Sequence, residues 1–200
     1  MARAKRSYDQ ETLLNDSSLK WEGFDRESLM ASVREKLSQG PITHLRHPEV
    51  RYEVTDHCNA ECIMCPRDLH KFGRPHGIMD QNKYEKSIDE VVGLGCKQVV
   101  LTSFGEPLID KRLEDKVAYA KSQGLRTYII SNASLLTRSR AKGLIEAGLD
   151  ELRVSYYGMR KETYNKVMVG LDFDVTMKNL ADFLEVREAM APLYDISGKQ

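Results

Sequence analysis

The chain has 200 residues, of which 41% are hydrophobic and 30% charged. That is the balance of an ordinary globular domain, and it excludes a disordered or fibrous chain. Thirty basic residues match thirty acidic ones, so neither a nucleic-acid surface nor a polybasic membrane patch is indicated. No apolar run reaches the ~20 residues of a membrane span, and the first residues lack the apolar stretch of a signal peptide. A cytoplasmic location is therefore expected. Thiols stay reduced there, and cysteines that cluster read as metal ligands instead of disulfides. Arg3, Lys5 and Arg6 read as part of a solvated tail.

Residues 1–45 read as a helical extension. Leu29, Met30, Val33 and Leu37 recur at helical spacing, Gly40 and Pro41 stop the run, and Trp21 and Phe24 precede it as packing residues. From residue 50 a strand-then-helix rhythm sets in. Val50, Tyr52 and Val54 alternate with Arg51, Glu53 and Thr55, as in a strand. A loop from Pro66 to Gly77 follows, and Asp80 then caps a helix whose face is Tyr84, Ile88, Val91 and Val92, ended by Gly93 and Gly95. The second strand is 98–103, with a helix over 111–123 that turns Leu113, Val117 and Ala120 inward and stops at Gly124. The third strand is 127–131, followed by a helix capped by Thr137 and ending near Gly148. The fourth strand is 151–155, leading to a short helix at 162–168 and a longer one at 174–190. Leu193 to Gln200 read as the start of a fifth strand.

This alternation predicts an α/β fold, with a parallel sheet and helices packed outside it. A closed eight-unit barrel needs roughly 250 residues. Residues 46–200 are thus expected to form a partial (β/α) barrel, truncated after about four strand–helix units. A continuation beyond Gln200 in a longer protein is expected.

The chemistry concentrates directly after the first strand. Cys58, Cys62 and Cys65 have the spacing C-x3-C-x2-C, and Cys96 stands apart as a buried structural thiol. Three thiolates so spaced can each bind a different iron of one cubane and leave the fourth iron open. The same residues also allow a zinc site completed by His57 or His70. The basic loop residues Arg67, His70, Lys71, Arg74 and His76 read as solvated, with an anionic substrate or a redox partner as the other reading.

This segment resembles the radical S-adenosylmethionine (SAM) superfamily, and so do the ends of the next three strands. Phe104-Gly105-Glu106-Pro107 is similar to the family's Gly-Gly-Glu-Pro. Ser131-Asn132-Ala133-Ser134-Leu135-Leu136 is similar to its Thr-Asn-Gly-x-Leu-Leu, although a turn asparagine over core leucines reads equally well. Arg153-Val154-Ser155-Tyr156-Tyr157-Gly158 is similar to its Arg-x-Ser-x-Asp-Gly, with Tyr157 in place of the aspartate. The resemblance covers roughly 48–190 and implies a 4Fe-4S cluster on the three cysteines, with SAM on the open iron. It places the SAM amino group at Phe104, Gly105 and Glu106, its ribose or carboxylate near Ser155, its neighbours near Asn132, and adenine near Met64. Reductive cleavage of SAM to a 5′-deoxyadenosyl radical is the implied activity, with an electron donor such as flavodoxin or ferredoxin and an unidentified substrate. The similar family members include ones with a C-terminal extension carrying auxiliary clusters. A 4Fe-4S electron-transfer protein and a zinc-stabilised structural or binding module are the alternatives.

Overall fold

The computed structural model describes Glu27, Ser28, Ala31, Glu35, Ser38, residues 49–68 and residues 76–191. The chain divides into two compact units, Met1–Thr43 and His44–Gln200. In the first unit the five described residues are helical and exposed. Ser38 Oγ donates to the Glu35 carbonyl at 2.6 Å. The expected packing residues Trp21, Phe24, Leu29, Met30, Val33 and Leu37, and the expected strand at 193–200, lie outside the described residues.

In the second unit four parallel strands form one sheet in sequential order: β1 (Glu49–Tyr52), β2 (Gln98–Leu101), β3 (Arg126–Ser131) and β4 (Glu151–Val154). Val50, Val99 and Thr127 lie in register, and Ile129 faces Leu152. Between the strands run α1 (Gln81–Gly93), α2 (Leu113–Ser122) and α3 (Arg138–Glu146), and after β4 come α4 (Lys161–Val167) and α5 (Phe173–Met190). This is the expected α/β architecture.

Local chemistry sets the helix ends. Asp80 accepts from Lys83 N at 3.1 Å and Thr137 accepts from Arg140 N at 3.3 Å, each satisfying an amide the helix leaves unpaired. Asp172 does the same for α5 through Val175 N at 3.0 Å, so that helix begins at Phe173, one residue before the expected start. The first three helices close alike. Gly95, Gly124 and Gly148 have φ of +89°, +76° and +84°. The next residue's amide then reaches back five positions, as in Cys96 N to Val91 O, Leu125 N to Ala120 O and Leu149 N to Leu144 O. This is the left-handed glycine closure that returns a chain toward the sheet.

One sheet face packs on the helices. Val99, Leu101 and Ile129 meet Tyr84, Ile88, Leu113, Val117, Ala120 and Leu144, and all are buried. As expected, Leu113, Val117 and Ala120 face inward; Val91 and Val92 are only partly buried. The alternate residues form the other face, where Val100 and Tyr128 are buried among an ion-paired row. There Arg51 pairs with Glu49, Arg126 and Arg153 pair with Glu151, and Arg153 lies 4.6 Å over the Tyr128 ring.

Candidate functional site

The loop after β1 carries the three cysteines, all partly buried and unpaired with one another. A turn bond from Cys65 N to Cys62 O at 2.9 Å shapes its end. Its middle docks on the end of α4 and the segment that joins it to α5. Glu61 N donates to Val169 O at 2.8 Å, and Ile63 N donates to Val167 O at 3.0 Å. Gly170, at φ +88°, lets the chains approach so closely that a Cβ there would lie 3.2 Å from the Asn59 carbonyl oxygen. Ala60 seals the contact against Tyr164, Met168 and Leu171, with Cys58 and Cys62 packed on the same cluster. The Cys62 thiol lies 3.6 Å from Met168 Sδ.

Arg67 lies in the turn Pro66–Asp68. Its Nη2 donates to the Ala60 carbonyl at 3.0 Å, folding the end of the loop back on its middle. Arg67 reads from sequence as solvated or facing an anionic substrate or redox partner; in the structure the Ala60 carbonyl takes up its guanidinium. His76 is also engaged, with Nδ1 3.0 Å from Asp56 Oδ2, while Gly77 N donates to Asp56 Oδ1 at 2.9 Å. His57 is exposed, its ring 5.8 Å from that of His76. His70, Lys71 and Arg74 lie outside the described residues.

Gly105 joins the ends of β1 and β2. A Cβ on it would fall 2.1 Å from Thr55 O and 2.8 Å from His57 O, so only glycine fits. Glu106 N then donates to His57 O at 2.8 Å. The Glu106 carboxylate turns inward and is 2% exposed. Its Oε1 accepts from Ser131 Oγ at 2.7 Å and from Leu108 N at 3.0 Å, and its Oε2 accepts from Asn132 N at 2.7 Å. Burial lifts this carboxyl above the ordinary glutamate range, opposed by these three donors. Phe104, two residues earlier, is exposed.

Asn132 is buried as well. Its Nδ2 donates to Asn59 Oδ1 at 3.0 Å, and its Oδ1 accepts from Ser134 N and Ser134 Oγ at 2.9 and 2.7 Å. Asn59 Nδ2 completes the ring by donating to Ser134 Oγ at 2.8 Å. Between them Ala133 has φ +60° and is fully buried, an uncommon backbone state for a residue with a Cβ. Asn179 of α5 holds it there, its Nδ2 donating to the carbonyls of Ala133 and Ser134 at 3.0 and 2.8 Å. Ser155, just past β4, is partly buried and donates its amide to Ser131 O at 2.8 Å. Met64 is 47% exposed beside Cys65, and Tyr157 is 52% exposed. Cys96 is buried, its thiol donating to Gln98 O at 3.2 Å.

Cys58, Cys62, Cys65, Gly105, Glu106, Asn132 and Ser155 thus stand on loops that leave the carboxyl ends of the strands. The residues that sequence reasoning missed are the ones that hold them. Asn59 carried a signal only in its place after Cys58. Asn179 carried a clearer one, as a polar residue on the inward stripe of Thr176, Phe183, Val186 and Met190.

The donor set suits an iron–sulfur cluster. Burial pushes the Cys58 and Cys62 thiols up, so they are poor anions until a metal takes the place of the proton. Soft thiolates favour iron–sulfur clusters or zinc. Among the described residues no three His, Cys, Asp or Glu side chains converge on one metal ion. A cubane asks for less convergence, since each thiolate meets its own iron.

A model of the Radical SAM superfamily matches residues 52–188. The GTP 3′,8-cyclase of Limosilactobacillus fermentum is 30% identical over 137 residues, covering 68% of this chain and 41% of that protein. The Fe-coproporphyrin III synthase of Methanosarcina barkeri is 33% identical over 142 residues, covering 68% of this chain and 33% of that one. Among solved structures, BtrN in complex with AdoMet and 2-DOIA superposes with a TM-score of 0.53 at 25% identity, covering 68% of this chain and 56% of BtrN. Streptococcus suis SuiB bound to precursor peptide SuiA gives 0.62 at 17% identity over 88% of this chain and 40% of SuiB, a likeness of fold. The match spans less than half the length of these curated relatives. The family model covers more than half of the chain and agrees with these relatives: the chain belongs to the radical SAM superfamily.

Proposed function

We propose that this chain is the cofactor-bearing part of a radical SAM enzyme, with Cys58, Cys62 and Cys65 as the ligands of a 4Fe-4S cluster. One observation carries the reading. A C-x3-C-x2-C loop with partly buried thiols is docked on α4–α5 and tied by Asn59 to the end of β3, beside the ends of the other strands. When bound and reduced, the cluster supplies the electron that cleaves SAM to methionine and a 5′-deoxyadenosyl radical, which abstracts hydrogen from the substrate.

The chain's own residues supply position and dryness. The Glu106 carboxylate is taken up by Ser131, Asn132 and Leu108, so it orients the β2 and β3 ends. The backbone around Phe104 and Gly105 is then the acceptor for a SAM ammonium. Ser155 serves the ribose or carboxylate, and Met64 packs near adenine. Asn132 acts on the cofactor through Asn59 and the cysteine loop. Residues 46–200 form the core and residues 1–45 a helical extension of a cytoplasmic protein. A flavodoxin or ferredoxin supplies the electron. The substrate class is open, since similar proteins include a nucleotide cyclase and a peptide cyclase.

The test is anaerobic reconstitution with iron and sulfide, dithionite reduction with SAM, and assay for 5′-deoxyadenosine. Production that is lost in Cys62→Ala supports the reading. Cluster assembly with no deoxyadenosine, from this chain and from a longer form alike, overturns it.

A further inference from the structure

The cysteine loop is wetted unevenly. On one side Ile63 is 65% exposed and Met64 47% exposed. On the other, Cys62 meets a dry wall in which Tyr164 is 0% exposed, Met168 1% and Ala60 4%. The Tyr164 ring is braced by Phe173 at 5.6 Å and Tyr156 at 5.2 Å, and its hydroxyl by Thr176 Oγ1 at 2.9 Å. Met168 is fixed at both ends. Its amide donates to Tyr164 O at 2.7 Å, and the flanking Val167 and Val169 carbonyls receive the loop amides of Ile63 and Glu61. Its thioether is thereby held 3.6 Å from Cys62 Sγ.

We infer that Met168 is a positioning residue for the cluster, setting its reduction potential by keeping water and further hydrogen-bond donors off the face of Cys62 Sγ that it covers; this rests on the radical SAM reading above. The physical reason is charge. Reduction adds one electron to an already anionic thiolate-ligated centre, and a dry, donor-free neighbour disfavours that added charge. Hydrogen bonds to the sulfurs and solvent exposure raise such potentials. A thioether offers no donor, while its polarizable bulk fills the space a water would take. The Met168 wall beside Cys62 therefore lowers the potential of the cluster as a whole.

The experiment is an EPR-monitored redox titration of the reconstituted protein in three forms. Met168→Leu keeps the dry wall and should titrate with the native protein. Met168→Gln keeps the length but turns an amide donor toward Cys62 Sγ. It should be reduced more readily, with a reduced-to-oxidised ratio about tenfold higher at the native midpoint, equivalent to about 59 mV for one electron. Met168→Thr, smaller and carrying a hydroxyl, makes the same prediction should the glutamine variant fail to fold. A native midpoint in a folded, cluster-loaded glutamine or threonine variant overturns the inference and leaves the family reading intact. Native protein that assembles no 4Fe-4S cluster overturns both.

Discussion

Asn59 and Asn132 exchange hydrogen bonds through a ring closed by Ser134, joining the residue after the first cysteine to the end of β3. Asn132 is buried, Ser134 partly buried and Asn59 exposed, so Asn132 is the member of the ring that depends most on its protein partners. Asn132→Ala removes the acceptor of the Ser134 amide and hydroxyl, the hydroxyl keeping Asn59 Nδ2, and should cost about 0.5–1.5 kcal/mol. With Asn59→Ala it should couple by about 0.5–3 kcal/mol in a double-mutant cycle on thermal unfolding. Strict additivity would show that the ring is not a unit. Glu106 gives a pH-dependent counterpart. Burial raises its carboxyl above the ordinary glutamate range despite three donors, so the folded state holds the proton more tightly than the unfolded state does. Stability from this group is full below the ordinary glutamate pKa and declines as pH rises through the raised one. Glu106→Gln should flatten the fall of the denaturation midpoint as pH rises above about 4. An unchanged slope would place the titration elsewhere.

Strands and helices were legible because their causes are local. Asp80 and Thr137 cap, Gly95, Gly124 and Gly148 close, and Leu113, Val117 and Ala120 share a face. The docking of the cysteine loop on the α4–α5 connection was not legible. It runs through backbone amides of Glu61 and Ile63, which leave no side-chain pattern, across more than a hundred residues of chain. The role of Glu106 was half legible: Gly-Glu-Pro marks the loop, but whether the carboxylate faces outward or inward depends on Ser131 and Asn132, which only the sheet brings near. Two glycines test these elements. Gly105→Ala forces a Cβ to 2.1 Å from the Thr55 carbonyl oxygen. It should cost at least about 2 kcal/mol and lower iron uptake on reconstitution. Gly170→Ala strains a backbone at φ +88° against the Asn59 carbonyl. It should cost about 1–2 kcal/mol and speed loss of iron to a chelator. Native chelation rates in Gly170→Ala would show that the docking segment does not restrain the cysteine loop.

At the scale of the molecule, the family model over 52–188 places the chain in the radical SAM superfamily, and the sequential parallel sheet and C-x3-C-x2-C loop agree with it. Its substrate was not legible, because the chain resembles proteins as different in name as a GTP 3′,8-cyclase and an Fe-coproporphyrin III synthase. The central proposal is narrower: Cys58, Cys62 and Cys65 would hold a cubane with its fourth iron open to SAM. EPR of the dithionite-reduced, reconstituted protein, recorded with and without SAM, tests it most directly. The account predicts a reduced 4Fe-4S signal that changes shape on adding SAM, and that is absent when any one of the three cysteines is replaced by alanine. A signal indifferent to SAM, or one that survives loss of Cys62, would contradict it.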